Sequence, residues 1–158
     1  MTTRSYLGRR RGLLGLFLLA LTLLAPQADA QTRQFDLADY KGKVVYLDFW
    51  ASWCGPCKQS FPYMAGLRQQ YGAKGLAVVT VNLDKSPAQA AAFLKKVGVS
   101  LPVTYDAGGV VAKQYGVKDM PTSLIIDRAG KIRFTHKGFF PGKTAEYSAH
   151  VAQIVNER

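Results

Sequence analysis

Val44 to Trp50 reads V-V-Y-L-D-F-W, a run of β-branched and aromatic side chains broken by one acid. Such continuity, without polar alternation, predicts a strand buried on both faces and central in its sheet. From Cys54 to Tyr71 the pattern changes. Apolar or aromatic side chains at 57, 61, 64, 67 and 71 follow helical spacing, with Pro62 inside and expected to kink the helix. Leu76 to Leu83 predicts a second buried strand. Ser86-Pro87-Ala88-Gln89 then carries the signature of a capping box, with Pro at the first helical position. Ala90, Phe93, Leu94 and Val97 form the apolar face of that helix. Lys95 and Lys96 suit its negative end and Gly98 ends it.

Beyond it the elements shorten. Leu101 to Tyr105 predicts a strand and Val110 to Tyr115 a short helix. Thr122 to Ile126 and Lys131 to Thr135 predict two strands joined by Asp127-Arg128-Ala129-Gly130, a hairpin. Tyr147, Val151, Ile154 and Val155 recur at amphipathic spacing, so a helix closes the chain. Gln31 to Lys43 is polar and irregular, with one short extended piece expected around Phe35. Strand–helix–strand units followed by a hairpin and a helix imply an α/β sandwich on a mixed sheet.

The first 30 residues stand apart. Arg4, Arg9, Arg10 and Arg11 precede a 13-residue apolar block, Leu13 to Ala25, and then Ala28-Asp29-Ala30. A basic start, a short apolar run and an A-x-A end are the parts of a secretory signal peptide. The block falls short of the ~20 residues that span a bilayer. Residues 1–30 are therefore expected to be a leader and 31–158 one domain, with a membrane anchor as the alternative if the leader stays. Loss of four Arg and one Asp with the leader lowers the net charge from +11 to +8. The remaining cations are scattered, which describes a solvated surface. With no recognition motif beside them, nucleic acid is not an expected partner.

The chain holds two cysteines, Cys54 and Cys57. A bridge across two intervening residues closes too small a loop to stabilise much. In an exported protein such a pair points to chemistry instead. A metal site is the alternative, but two thiolates leave a tetrahedral zinc shell half empty. Cys54 is placed where a buried strand hands over to a helix. There the free N–H groups and the positive end of the dipole favour a thiolate. Cys54 is then the expected nucleophile toward a substrate disulfide. Cys57, one turn further in, is the resolving thiol.

Asp48–Lys58, D-F-W-A-S-W-C-G-P-C-K, closely resembles the thioredoxin active-site signature, and Met120-Pro121-Thr122 resembles the loop that carries a cis-proline in that family. Asp84 to Tyr105 looks like the extra helix and strand of the TlpA/ResA-like, redoxin-type branch. So does Y-D-A-G-G-x-x-A-x-x-Y-G-V-x-x-M-P-T-S-x-x-I-D, Tyr105 to Asp127. The resemblance covers nearly all of residues 35 to 158. It implies a thioredoxin-like three-layer sandwich, with a mixed central β-sheet flanked by helices and that helix–strand insertion. It further implies a cis Pro121 facing the sulfurs, and a Met120 backbone able to pair with an extended client peptide. Trp53, Gly55, Pro56, Met120, Pro121 and Thr122 are the implied substrate contacts. Asp48 occupies the place of the family's buried acid. Desolvation there should raise its pKa and suit it to accept the Cys57 proton. Where thioredoxins commonly have a Lys on the neighbouring strand, this chain has Thr80. Trp50 is expected in the core, and His136 and His150 as ordinary histidines without ligand partners.

The implied activity is reduction of protein disulfides in the periplasm, with no cofactor beyond the redox-active pair itself. Implied partners are oxidised client proteins, such as an apocytochrome c or a copper-site assembly protein, and a DsbD-like membrane thiol donor. A monomer is expected. Two alternatives stay open: a disulfide oxidase or isomerase, and a Cu(I)-binding assembly factor holding the metal through both thiols.

Overall fold

A computed structural model describes residues 1, 2 and 35–157. The leader expected over residues 1–30 therefore lies, Met1 and Thr2 apart, outside the described residues. Five strands form one sheet in the order β3-β2-β1-β4-β5. They are β1 (Val44–Trp50), β2 (Leu76–Asn82), β3 (Val103–Tyr105), β4 (Thr122–Ile126) and β5 (Ile132–Lys137). β1, β2 and β3 run parallel. β4 pairs antiparallel with β1, and β5 antiparallel with β4. The sheet is mixed, and β1 is central and buried at all seven positions.

Four helices cover the two faces: α1 (Gly55–Tyr71), α2 (Pro87–Val97), α3 (Val110–Gln114) and α4 (Thr144–Asn156). Alternate β1 side chains divide between the faces, as pleating requires. Val44, Tyr46 and Trp50 pack with Phe61, Met64 and Leu67 of α1, Phe93 of α2 and Val151 and Ile154 of α4. Val45, Leu47 and Phe49 turn the other way, toward Val111 and Ala112 of α3 and toward Phe35. Trp50 meets Phe61 edge-on and Phe93 tilted, each with ring centroids 4.9 Å apart. Full burial of such side chains contributes about 1.5–3 kcal/mol each. This aromatic wedge fixes the helix that starts at the cysteines onto the strand that precedes them.

The expected elements are present with three local corrections. Phe35 is buried but belongs to no strand, and the segment after it forms a 3-10 turn, Leu37–Tyr40, capped by the Asp36 side chain. Ser86 does sit at the N-cap of α2, yet its hydroxyl makes no capping bond. The Gln89 N–H is taken by the Ser86 backbone carbonyl at 3.1 Å instead, so the capping box does not form. The last strand runs to Lys137, two residues beyond its predicted end. Gly98 closes α2 in the left-handed conformation, φ +69°, a role glycine fills without strain. Pro62 lies within α1 without ending it. At the far end of the sheet Arg128 donates to the carbonyls of Ile154, Val155 and Glu157, placing a cation where the α4 dipole is negative. Among the described residues no helix is long and apolar enough to cross a membrane.

Candidate active site

β1 leads straight into the cysteines. After Trp50 the turn Ala51–Trp53 delivers Cys54 as N-cap of α1, with extended backbone (φ −83°, ψ 107°). The Gly55–Pro56 pair supplies the first helical positions, where a proline costs no hydrogen bond. The Cys54 Sγ accepts the Cys57 N–H at 3.2 Å. This is the bond an N-cap acceptor makes, here with sulfur in place of oxygen. Cys54 and Cys57 are joined as a disulfide. Cys57 is fully buried and Cys54 is 5% exposed, so Cys54 is the sulfur nearer solvent. Gly55 and Pro56 are exposed beside it, and Trp53 stands 70% exposed at the rim. The Met120–Pro121 bond is cis. The Pro121 carbonyl accepts the Gly138 N–H at 2.7 Å, tying the loop after β5 to the proline. Met120 is half-buried against the α1-side core. The Thr122 hydroxyl is turned inward, donating to the Asp119 carbonyl at 2.7 Å.

Asp48 lies on the sheet face covered by α1, between Tyr46 and Trp50, and is fully buried. Burial pushes its carboxyl up to about 7. The Ser123 hydroxyl, donating to Oδ1 at 2.6 Å, pulls the other way without cancelling it. The second oxygen, Oδ2, has no partner among the described residues. An acid that titrates near neutrality can hold or release a proton at working pH. Thr80 stands directly beside Asp48 in the β1–β2 register, at the position where the resemblance places a lysine. Its hydroxyl is committed to the Pro102 carbonyl at 2.9 Å. No cation therefore faces the acid from that strand.

Two arrangements escaped the sequence reading. Asp84, 3% exposed, accepts from the Ser52 N–H at 3.0 and 3.1 Å, from the Ser52 hydroxyl at 3.0 Å and from the Asn82 amide at 2.9 Å. It clamps the turn that carries Trp53 and Cys54 to the end of β2. His136 and His150, expected to be ordinary histidines with no partner at ligand spacing, meet across β5 and α4 with Nε2 and Nδ1 3.0 Å apart. The sequence signal for this contact was the alternation of β5, which puts Phe134 and His136 on one face, together with His150 flanking the apolar stripe of α4. The partnership itself depends on how α4 lies across the sheet.

The redoxin family pattern matches residues 20–151. The chain is 38% identical over 110 residues to the thiol-disulfide oxidoreductase ResA of Bacillus thuringiensis subsp. konkukian, covering 70% of this chain and 64% of that protein. It is also 38% identical over 104 residues to the Bacillus subtilis ResA, covering 66% of this chain and 58% of the relative. The chain thus spans about three fifths of the length of the curated relatives it matches. Among solved structures, one from Chlorobium tepidum bears the provisional name thiol:disulfide interchange protein DsbE. It is 47% identical with a TM-score of 0.74, covering 76% of this chain and 85% of that one. StoA from Bacillus subtilis is 28% identical with a TM-score of 0.59, covering 69% and 84%. The fold is thioredoxin-like.

Proposed function

The chain belongs to the redoxin family, and on that premise we propose that it is a thiol–disulfide oxidoreductase that reduces disulfides of other proteins outside the cytoplasm. One observation carries the reading. The two cysteines of the chain are bonded to each other at a helix N-terminus, with the outer sulfur already accepting a backbone N–H. When the pair is reduced, that N–H and the helix dipole favour negative charge on Cys54 over Cys57.

The Cys54 thiolate attacks one sulfur of a client disulfide. A Cys54–client bond forms, and the client's other sulfur leaves as a thiolate that takes a proton from water. Asp48 then removes the Cys57 proton. The Cys57 thiolate attacks Cys54 Sγ, the Cys54–Cys57 bond forms, and the client's second sulfur departs and is protonated. The enzyme dithiol loses two electrons and the client disulfide gains them. No organic cofactor enters the balance. Trp53, Gly55 and Pro56, exposed beside the disulfide, and the half-buried Met120 serve as client contacts, while Pro121 and Thr122, both buried, act through the backbone they position. The Met120 backbone can add an extended client segment as a strand.

Export to the periplasm is supported by the basic–apolar–A-x-A leader at residues 1–30. In that compartment the partners are oxidised client proteins, cytochrome c precursors among them, and a DsbD-like membrane thiol donor that restores the dithiol. The protein acts as a monomer. Cys57→Ser tests the order of events: incubated with an oxidised protein client, the variant should accumulate a mixed disulfide that mass spectrometry locates at Cys54. Absence of that adduct, or its appearance on a Cys54→Ser chain instead, would reverse the roles.

A further inference from the structure

The α1/α4 face of the sheet carries a polar row that the thiol exchange leaves unused. Register pairing sets Asp48 of β1 beside Ser123 of β4, and Ser123 beside His136 of β5. Residues paired across strands project to the same face. Ser123 and His136 are 5% and 8% exposed, and the row ends at His150 of α4, which is half-buried. At one end Ser123 Oγ donates to Asp48 Oδ1 at 2.6 Å, and at the other His136 Nε2 and His150 Nδ1 are 3.0 Å apart. Among the described residues three buried polar side-chain atoms have no partner, Trp50 Nε1 and two along the row, Asp48 Oδ2 and His136 Nδ1. Buried polar atoms are nearly always satisfied, and each exception calls for a cause, a catalytic role among them. Ser123 also bonds the buried Tyr46 phenol, whereas among the described residues the His136 imidazole hydrogen-bonds only His150. Neighbouring positions on the same face are Tyr46, Trp50, Ile125 and Phe134, and an apolar side chain at 136 would pack on Tyr147 as the imidazole does.

We propose that Ser123, His136 and His150 form a proton route between Asp48 and solvent that emerges beside α4, lateral to the disulfide. The route rests on Asp48 being the acceptor for the Cys57 proton. A client docked over Cys54 covers the sulfur side, so a lateral route lets Asp48 discharge while the mixed disulfide is in place. The Ser123 hydroxyl, which donates to Asp48 Oδ1 at rest, turns toward His136 Nδ1, and the proton on Asp48 passes to Oγ as the hydroxyl proton moves to that nitrogen. His136 passes its Nε2 proton to His150 Nδ1, and His150 releases one to water. Asp48 ends as the carboxylate, ready to accept again, Ser123 and both imidazoles end with the proton count they began with, the proton is in water, and no electrons move. Cross-strand neighbours have Cβ atoms about 4.5–5.5 Å apart, so a side-chain rotation or one water closes the step from Ser123 to His136. The titratable groups around His136 are Glu146, Tyr147 and His150 on α4, and Asp48 beyond Ser123. Tyr46 of β1 and Tyr63 of α1 are phenols that burial keeps protonated. Burial and the neighbouring His150 hold His136 down to about 4, so at neutral pH it is an uncharged imidazole able to accept on one nitrogen while donating on the other.

The test is single-turnover client release by the full chain in weak buffer between about pH 5.5 and 8.5. His150→Ala should slow release below pH 7 by roughly tenfold. Added 4-methylimidazole should restore the rate saturably, with the Asp48 midpoint unmoved. His136→Phe, an apolar plug of similar size, should show the same loss without rescue. If both variants follow the wild-type profile, or imidazole restores nothing to His150→Ala, the route is overturned. Asp48→Asn separates the two levels. Slow release in Asp48→Asn with wild-type release in both histidine variants overturns the route alone, whereas wild-type release in Asp48→Asn overturns the acceptor role and the route together.

Discussion

Asp48 links stability to pH, and its replacement by asparagine turns that link into a number. In the folded, oxidised protein the carboxyl keeps its proton up to about 7, against an ordinary value of 3.8. In the unfolded chain it ionises near the ordinary value. Between those limits unfolding releases a proton, so raising the pH favours the unfolded chain. The contribution is whole below about pH 4, declines as pH rises, and is exhausted above 7. A difference of about three pH units at 1.4 kcal/mol per unit amounts to about 4 kcal/mol. Asp48→Asn preserves shape and removes the titration. From pH 5 to pH 8.5, across the two pH units up to 7, the variant should gain about 3 kcal/mol on the wild type. Urea unfolding of the oxidised proteins at the two pH values reads the difference directly, because shape effects of the amide cancel between them. A variant advantage that stays flat with pH, or shrinks as pH rises, would show that Asp48 ionises in the fold as it does in the open chain.

Further outcomes follow from the same contacts. Ser123→Ala removes the hydroxyl that donates to the Asp48 carboxyl, so the midpoint should climb above 7. The cost at pH 8.5 should be about 1.5–3 kcal/mol, the usual worth of a hydrogen bond to a charged group, and smaller at pH 5; denaturant curves at both pH values check it. Asp84→Ala leaves three buried or half-buried donors without their acceptor. It should cost about 1–3 kcal/mol, and hydrogen exchange should show residues 51–53 opening faster while the end of β1 stays protected.

The architecture was legible because its signals are local and redundant. β1 declares itself by composition, α2 by its apolar spacing with Pro87 and Gly98 at its ends, and the helix start at Cys54 by Gly55–Pro56. What failed depended on choices between equivalent partners. The Gln89 N–H could bond the Ser86 side chain or its carbonyl, and it took the carbonyl. Phe35 carries the apolar bulk of a strand residue, but it is stacked on Tyr40 and edge-on to Tyr115 rather than paired with a strand. Within the site, Cys54, Cys57 and the burial of Asp48 could be read from one stretch of eleven residues. The cis bond before Pro121 could be anticipated only by resemblance, since nothing in Met-Pro-Thr dictates it. The Asp84 clamp and the His136–His150 contact join residues 32 and 14 positions apart, and no periodicity encodes which ends meet when the sheet twists and α4 settles on it.

Differential acidity of the two sulfurs is the most direct measurement. The fully reduced protein is alkylated with iodoacetamide across about pH 4 to 10, and the label is located by mass spectrometry. Cys54 should react alone near neutrality, with a midpoint well below the ordinary thiol value of about 8.5, while Cys57 stays protected until far higher pH. Two thiols that label together at the ordinary midpoint, or neither reacting at all, would contradict a nucleophile made at the start of α1.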